Sequence, residues 1–268
     1  ASVALAVLAI VLPVGSNFQK LIISGLLISV GGAVGKWYIR KVKQKEKDYP
    51  AFFRYISSNI GANIPLIQVI DSARETDFGS LNEAVEILYN KLKMRVKPKV
   101  AWWSFETELD SNLIRKINLI MTDTLATGGD IEKASKVIEE FHHIYTMVRR
   151  KRYSACSYHI GILIPLYVVM ASLFGVIDGF FSALTLFLGK LESVVDFISV
   201  PSVEFMRIFF LFSLIVFALN NVFSLYNMEG DSRFTILFYL GIQLSLGGAF
   251  YLGITSMVTK YLSSVAYL

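Results

Sequence analysis

Apolar residues in this chain are gathered into long blocks, and those blocks limit the possible folds more than any other feature. A helix needs about 20 mostly apolar residues to cross a bilayer. Four stretches approach or reach that length: Leu21–Ile39, Ser157–Ile177, Phe205–Phe223 and Phe234–Val258. The 268 residues are 54% hydrophobic and only 18% charged, whereas soluble domains hold about 25% charged residues. The sequence therefore predicts an integral membrane protein and excludes an ordinary soluble domain.

A fifth apolar stretch, Ser2–Val14, is shorter than a full span. We expect it to be the remainder of a first transmembrane helix whose start has been removed. The alternative is a secretory signal peptide, but such peptides begin with basic residues and this segment has none. The expected order is two N-terminal spans in residues 1–39, a polar block in residues 40–152, and three spans in residues 153–268 with an outer loop at about 178–204.

Basic residues indicate how these spans are oriented. One run accompanies the end of the second span and another precedes the third: Lys36, Arg40, Lys41, Lys43, Lys45 and Lys47, and then Arg149, Arg150, Lys151 and Arg152. Because basic residues concentrate in cytoplasmic segments, we expect the polar block to be cytoplasmic. Both runs adjoin apolar spans, which favours contact with anionic lipid headgroups over nucleic-acid binding. We therefore expect no nucleic-acid partner.

The polar block has the periodicity of helices throughout. Apolar residues step by three and four positions, as in the stripe Ile131, Ala134, Val137, Ile138, Phe141, Ile144, Tyr145 and Val148, and strand-like alternation is absent. Turn residues divide the block into six helices. The predicted fold is all-α: a polytopic membrane protein with a cytoplasmic six-helix bundle inserted between transmembrane helices.

Several local patterns predict where these six helices begin and end. Pro50, preceded by Asp48, predicts the start of the first helix. Ser80-Leu81-Asn82-Glu83 is a capping-box pattern at the third. Asp110 or Ser111 is expected to cap the fifth, while Gly128 and Asp130 predict a left-handed turn followed by a capped sixth helix. No helix breaker lies between Ile131 and Pro165, so the sixth helix is expected to continue into the third span.

Three turn motifs in the block carry a resemblance to a known family. The segment 63–70 is similar to a Gly-x-x-Leu-x-x-Ala turn, with Asn63 in place of glycine and Val69 in place of alanine. The segment 95–101 is similar to a second glycine turn, with Arg95 in place of glycine, and 127–131 fits a Gly-Gly-Asp/Asn turn. The chain resembles the platform proteins of type II secretion and type IV filament machines (the F-domain family), above all the archaeal flagellum (archaellum) and pilus assembly membrane proteins.

The resemblance implies a non-enzymatic scaffold without cofactors in the plasma membrane of an archaeon or bacterium. Such a platform couples a cytoplasmic hexameric secretion ATPase to pilin-like filament subunits. Family members often carry two cytoplasmic domains of this kind. The single domain here implies a homodimer or pairing with a second platform half, and suggests either half of a longer protein or a single-domain relative.

A transporter or channel with a cytoplasmic regulatory domain is the alternative function. Transport pathways usually need ionisable residues inside the spans, but here such residues lie at the rims of the apolar blocks: Asp178, Glu204, Arg207, Arg233 and Lys260. The platform is therefore the favoured interpretation.

Motifs for catalysis or metal binding are weak. The phosphate-loop pattern Gly-x-x-x-x-Gly-Lys-Ser/Thr is absent. Glu140 and His143 form one Glu-x-x-His pair, whereas a di-iron bundle needs two such pairs and two further glutamates. Cys156 is the single cysteine, so no intrachain disulfide can form. We expect no catalytic, cofactor or metal site.

The candidate functional residues belong to two sets. If short connections make the six helices alternate in direction, the three motif turns gather at one end of the bundle, which carries a dense basic run. The predicted ATPase-binding set is Lys91, Lys93, Arg95, Lys97, Lys99, Gly128, Gly129 and Asp130. The predicted helix-packing set consists of three small-residue pairs, Gly31/Gly35, Ala171/Gly175 and Ala249/Gly253, and packing within one subunit or between two subunits remains open.

Overall fold

The computed structural model describes residues 16–62, 64–188, 202–230 and 232–265, and within them all regular structure is helical. The helices are α1 Asn17–Gly61, α2 Leu66–Arg74, a short 3-10 helix Gly79–Leu81, α3 Asn82–Lys93, α4 Pro98–Leu109, α5 Asn112–Ala126, α6 Ile131–Leu188, α7 Val203–Glu229 and α8 Phe234–Val265. Four of them, α1, α6, α7 and α8, are long and apolar enough to cross a membrane. The chain is an all-α polytopic membrane protein. The predicted span Ser2–Val14 lies outside the described residues.

The chain divides into two compact units. The described residues of the bundle, Trp37–Lys151, form six α-helical segments and the short 3-10 helix around a core rich in aromatic side chains, where Phe52 and Phe105 lie 5.3 Å apart between ring centroids. The apolar unit is formed by the residues before and after the bundle. Its core includes Phe18 stacked on Tyr251, with ring centroids 3.8 Å apart. Each unit therefore buries its own apolar face.

The first helix of the bundle does not start at Pro50, as its sequence pattern predicts. Helix α1 runs from Asn17 to Gly61 with Pro50 inside it. Proline lacks an N–H, so the carbonyl of the residue four positions earlier loses its helical partner. That residue is Glu46, and the ring nitrogen Nε2 of His142 lies 3.1 Å from the Glu46 carbonyl oxygen. Because a carbonyl only accepts, His142 donates this hydrogen bond and replaces the donor that Pro50 lacks.

The capping box predicted at Ser80 and Glu83 is also absent, because Ser80 binds elsewhere. Its backbone N–H and hydroxyl both donate to the Asp48 carboxylate, at 3.1 and 2.7 Å. Helix α3 begins two residues later, at Asn82, with no side-chain cap. The prediction failed because a carboxylate on α1, distant in sequence, supplies a stronger acceptor than the local turn offers.

Other helix-end predictions are confirmed. The Ser111 hydroxyl accepts from the Ile114 N–H at 3.3 Å at the start of α5. Asp130 accepts from the N–H groups of Glu132 and Lys133, both at 3.1 Å, at the start of α6. Gly128 has the left-handed φ of +66°. Helix α6 continues without interruption from Ile131 to Leu188.

The predicted outer loop is shorter than expected at its first end. Helix α6 continues ten residues beyond Asp178 to Leu188, and the next described helix starts at Val203. Asp178 is almost fully buried and accepts two bonds from the Arg207 Nε, at 3.1 and 3.2 Å. An acidic residue with such a partner does not require a solvated loop. The middle of the predicted loop lies outside the described residues.

Hydrogen bonds define two ends of the bundle. At the junction end, where the chain enters at Trp37 and leaves at Lys151, Tyr38 donates to Asp110 at 2.7 Å and the Lys45 ammonium donates to the Glu108 carbonyl at 2.9 Å. Turn four (residues 110–111) therefore lies at the junction end, and the hydrogen bonds from Ser80 to Asp48 of α1 place turn two (residues 75–81) on the same side of the bundle.

The other end, which we call the tip, contains turn five (residues 127–130) and the described residues of turn one (62, 64 and 65). Helix α1 runs towards the tip and α6 runs away from it. The two are antiparallel neighbours, because Arg54 pairs with Glu139 at 3.0 Å and Ser57 bonds Ser135 at 2.9 Å. Beyond those pairs, α1 and α6 border one polar groove that includes Gly61 and Glu132. Turn three, residues 94–97, connects α3 to α4. Helix α3 begins after turn two and α4 ends at turn four, so turn three lies at the opposite end of both helices, away from the junction end.

Candidate partner-binding surface

The three motif turns end their helices in the same way. In each, a backbone N–H reaches back five residues to a carbonyl: Ile64 to Asn59 at 3.2 Å, Val96 to Lys91 at 3.1 Å, and Gly129 to Thr124 at 2.9 Å. This bond is typical of a Schellman ending, whose preceding residue is left-handed and usually glycine. That residue is Gly128 in turn five and Arg95, with φ +57°, in turn three. The backbone thus explains why glycine suits these positions.

Turn three presents most of the basic run to solvent. Lys93, Arg95, Lys97 and Lys99 are exposed. Lys91 is half-buried and donates to the Ser104 hydroxyl on α4. Among the described residues, no carboxylate lies within 4.0 Å of Arg95, Lys97 or Lys99. Their positive charge is therefore not neutralised by ion pairs within the described part of the chain.

Turn five is exposed but its charges are engaged locally. Gly128, Gly129 and Asp130 are all exposed. Asp130 pairs with Lys133 at 3.1 Å, and Glu132 pairs with Lys136 at 3.0 Å. Hydrogen bonds from the Lys133 N–H and side chain lower the pKa of the Asp130 carboxyl. The described residues of turns three and five share no hydrogen bond or ion pair, so one combined surface stays a prediction.

Three exposed apolar side chains beside the basic run were not singled out by the sequence. Met94 is 68% exposed in turn three, and Val100 and Trp103 are 47% and 65% exposed on α4. The sequence could have indicated that Trp103 is exposed, because the buried residues of α4 follow a helical spacing: Ala101, Trp102, Phe105 and Leu109. Those positions define one face of the helix, and the adjacent Trp103 points away from it.

Arg149 has a structural role that its place in a basic run did not suggest. Its guanidinium forms an ion pair with the Glu46 carboxylate, and both side chains are largely buried. The Ser111 hydroxyl donates to the same carboxylate at 2.5 Å. Burial lowers the pKa of the adjacent His142 imidazole, and the neighbouring Glu46 opposes this shift. This network fastens α1, α6 and turn four together at the junction end.

The small-residue pairs differ in what they touch. Ala171 is fully buried, and a Cβ added to Gly175 would lie 2.8 Å from the Tyr251 carbonyl oxygen on α8. A Cβ on Gly35 would meet the Phe234 ring, whereas Gly31 is half-buried. In the third pair, Ala249 is exposed and Gly253 has nothing within 4 Å of an added Cβ.

Two close helix contacts were missed by the sequence patterns. A Cβ on Gly241 of α8 would lie 2.3 Å from the Ser29 backbone nitrogen, and one on Gly32 would lie 2.3 Å from the Phe238 nitrogen. Helices α1 and α8 therefore approach through Gly32 and Gly241. Neither glycine belongs to the three small-residue pairs that the four-residue spacing singled out.

The described residues contain no group of three or more His, Cys, Asp or Glu side chains that could hold a metal ion. Cys156 is buried beside the Leu225 carbonyl, 3.9 Å from its sulfur. The exposed features described for the bundle are charged and apolar side chains.

Comparisons with known proteins agree with this architecture. Residues 52–178 match the family model of the type II secretion system (T2SS), protein F. A curated relative, Flagella accessory protein J of Methanocaldococcus jannaschii, is 24% identical over 224 residues, covering 79% of this chain and 39% of the relative. The chain thus spans less than half the length of that relative. No solved structure matches the chain. The match to the family model begins in the last turns of α1 and ends within α6, so it includes most of the bundle. Residues 52–178 of this chain are therefore similar to the type II secretion system protein F family.

Proposed function

We propose that the chain is a non-enzymatic membrane platform for assembly of a filament related to type IV pili or archaella. The observation that carries this proposal is the similarity of residues 52–178 to the F family, in the same chain as four helices apolar enough to span a membrane. The basic residues beside the spans support a cytoplasmic bundle. In that orientation, the bundle faces cytoplasmic partners while the apolar helices face filament subunits within the membrane.

The bundle binds a hexameric secretion ATPase, and turn three supplies part of the contact. Lys93, Arg95, Lys97 and Lys99 are exposed and form the densest basic cluster outside the runs that adjoin the spans. Complementary charge accelerates association and selects partners. Turn five, with Gly128, Gly129 and Asp130, is proposed as a second part of this surface.

The platform works with a second subunit, either another copy or a second platform half. Supporting this, α6 leaves Val137, Phe141, Ile144 and Val148 exposed in the bundle, although their spacing places them on one helical face. Apolar faces of this kind mark interaction sites in soluble domains. In the apolar unit, the exposed pair Ala249/Gly253 is a second candidate for contact between subunits.

Charge reversal at turn three tests the proposed ATPase contact. Replacing Lys93, Arg95, Lys97 and Lys99 by glutamate is expected to leave the membrane-inserted fold intact but to abolish co-purification of the ATPase and filament formation. A smaller pair of variants gives a matched control: Lys97→Glu with Lys99→Glu should weaken binding more than Arg115→Glu with Lys116→Glu, two exposed residues of α5. Normal filaments from the fourfold variant would contradict docking at turn three.

A further inference from the structure

The basic surface at turn three contains an apolar centre. Trp103 and Met94 are 65% and 68% exposed, although tryptophan is usually largely buried in a protein. Lys99 and Trp103 are four residues apart on α4, and Val100 and Trp103 are three apart, so all three lie on one face of the helix. Met94 lies in the turn that leads into α4. Exposed apolar side chains surrounded by charge are the arrangement found at protein interfaces, with an apolar centre and a polar rim.

The bundle core holds this surface in place. The neighbouring Trp102 is buried and its ring contacts Phe105 edge-to-face, with centroids 5.4 Å apart. Because adjacent helix positions point about 100° apart, burial of Trp102 directs Trp103 outwards. The Met94 N–H bonds the Asn90 carbonyl at 3.1 Å, which fixes the turn. The exposed face is therefore preorganised, which reduces the entropy lost on binding.

We infer that Trp103, Met94 and Val100 form the anchor of the proposed docking surface, and that the partner offers an apolar pocket surrounded by acidic residues. Tryptophan is among the residues that contribute most to binding when it fills a pocket at the centre of an interface. The exposed Lys93, Arg95, Lys97 and Lys99 supply the rim, where charge governs association rate and partner choice. This inference rests on the proposed function, since the partner is taken to be the secretion ATPase.

The position of the surface favours a protein partner over a bilayer. The chain enters and leaves the bundle at the junction end, where Tyr38 bonds Asp110 just beyond the last residue of α4. Turn three is at the opposite end of α4, and 12 residues of helix separate the two by about 18 Å. A basic and aromatic surface that served to hold the chain against lipid would be expected beside the residues that lead into the apolar helices.

The test uses the full chain in detergent micelles and the purified secretion ATPase of the same organism as the probe. Trp103→Ala should weaken ATPase binding by about tenfold or more, and Trp103→Phe should retain most of it. Trp37→Ala is the matched control, because Trp37 is also an exposed tryptophan of the bundle, stacked on Lys41 at the junction end. Melting temperatures of all variants should be unchanged, since the Trp103 side chain contributes little to the core.

The outcomes separate the inference from the proposed function. Binding by the unaltered chain that survives Trp103→Ala would overturn the anchor while leaving the platform role intact. Absence of ATPase binding by the unaltered chain would contradict the proposed coupling and the anchor with it. Loss of binding to vesicles of anionic lipid on Trp103→Ala, with ATPase binding retained, would assign the surface to lipid and overturn the inference.

Discussion

Arg95 holds a backbone conformation that glycine adopts without strain. Its φ of +57°, just after the end of α3, lies in the left-handed region. In that region the Cβ of an L-residue is too close to its own backbone, which costs about 1 kcal/mol. We predict that Arg95→Gly raises the melting temperature of the detergent-solubilised chain by about 2–4 °C. The reciprocal control is Gly128→Ala, at φ +66° with open space around an added Cβ, which should lower it. A lower melting temperature for Arg95→Gly would show that the arginine side chain makes a compensating contact.

His142 and Pro50 are coupled through the Glu46 carbonyl. His142→Leu removes the donor to that buried oxygen and should destabilise the chain by about 1–3 kcal/mol. Pro50→Ala restores the helical N–H, so the same histidine substitution should have a smaller effect in the Pro50→Ala background. His142→Gln, which keeps a donor, serves as control. Thermal unfolding of the four variants and the unaltered chain measures the coupling, and equal effects of His142→Leu in both backgrounds would show that the two residues act independently.

At the scale of elements, the close approach of α6 to α8 depends on missing side chains, and Gly175 is one of the glycines that supply them. The Thr255 hydroxyl donates to the Gly175 carbonyl at 3.1 Å, and an added Cβ at Gly175 would lie 2.8 Å from the Tyr251 carbonyl oxygen. We predict that Gly175→Ala lowers the melting temperature and the yield of folded protein, because backbone atoms must separate.

Gly253→Ala on α8 is the matched control for that substitution. Its added Cβ would meet nothing within 4 Å, and alanine has the higher helix propensity, so stability should be unchanged or slightly raised. If Gly253→Ala instead reduced the size of the oligomer in detergent, the pair Ala249/Gly253 would be assigned to contact between subunits. Equal stability of Gly175→Ala and Gly253→Ala would contradict close packing of α6 on α8.

For the whole molecule, orientation in the membrane is the property on which every proposed partner depends. With Cys156 replaced by alanine, a cysteine at Asn90, which is exposed in the bundle, should resist an impermeant thiol reagent in intact cells. A cysteine at Lys190, in the predicted outer loop, should react. Labelling of Asn90→Cys after permeabilisation is the control for accessibility. The reverse pattern would place the bundle outside the cytoplasm and exclude contact with a cytoplasmic ATPase.

The sequence alone determined the fold class, the four described spans and most helix ends of this protein. These features depend on local physics: apolar length against bilayer thickness, the 3.6-residue period, and turns such as the one at Gly128. The basic surface at turn three could also be predicted, because the positions of charged residues are read directly from the sequence.

Only the tertiary structure decided which local signals prevailed. Pro50 stays within a helix because His142, 92 positions later in the sequence, replaces its missing donor, and Ser80 leaves its capping role for Asp48 on α1. Arg149 became part of a buried ion pair, and Trp103 was directed outwards by the burial of Trp102. In each case, a partner distant in sequence or a packed neighbour changed the free energy of a local choice, and short-range patterns carry no information about such partners.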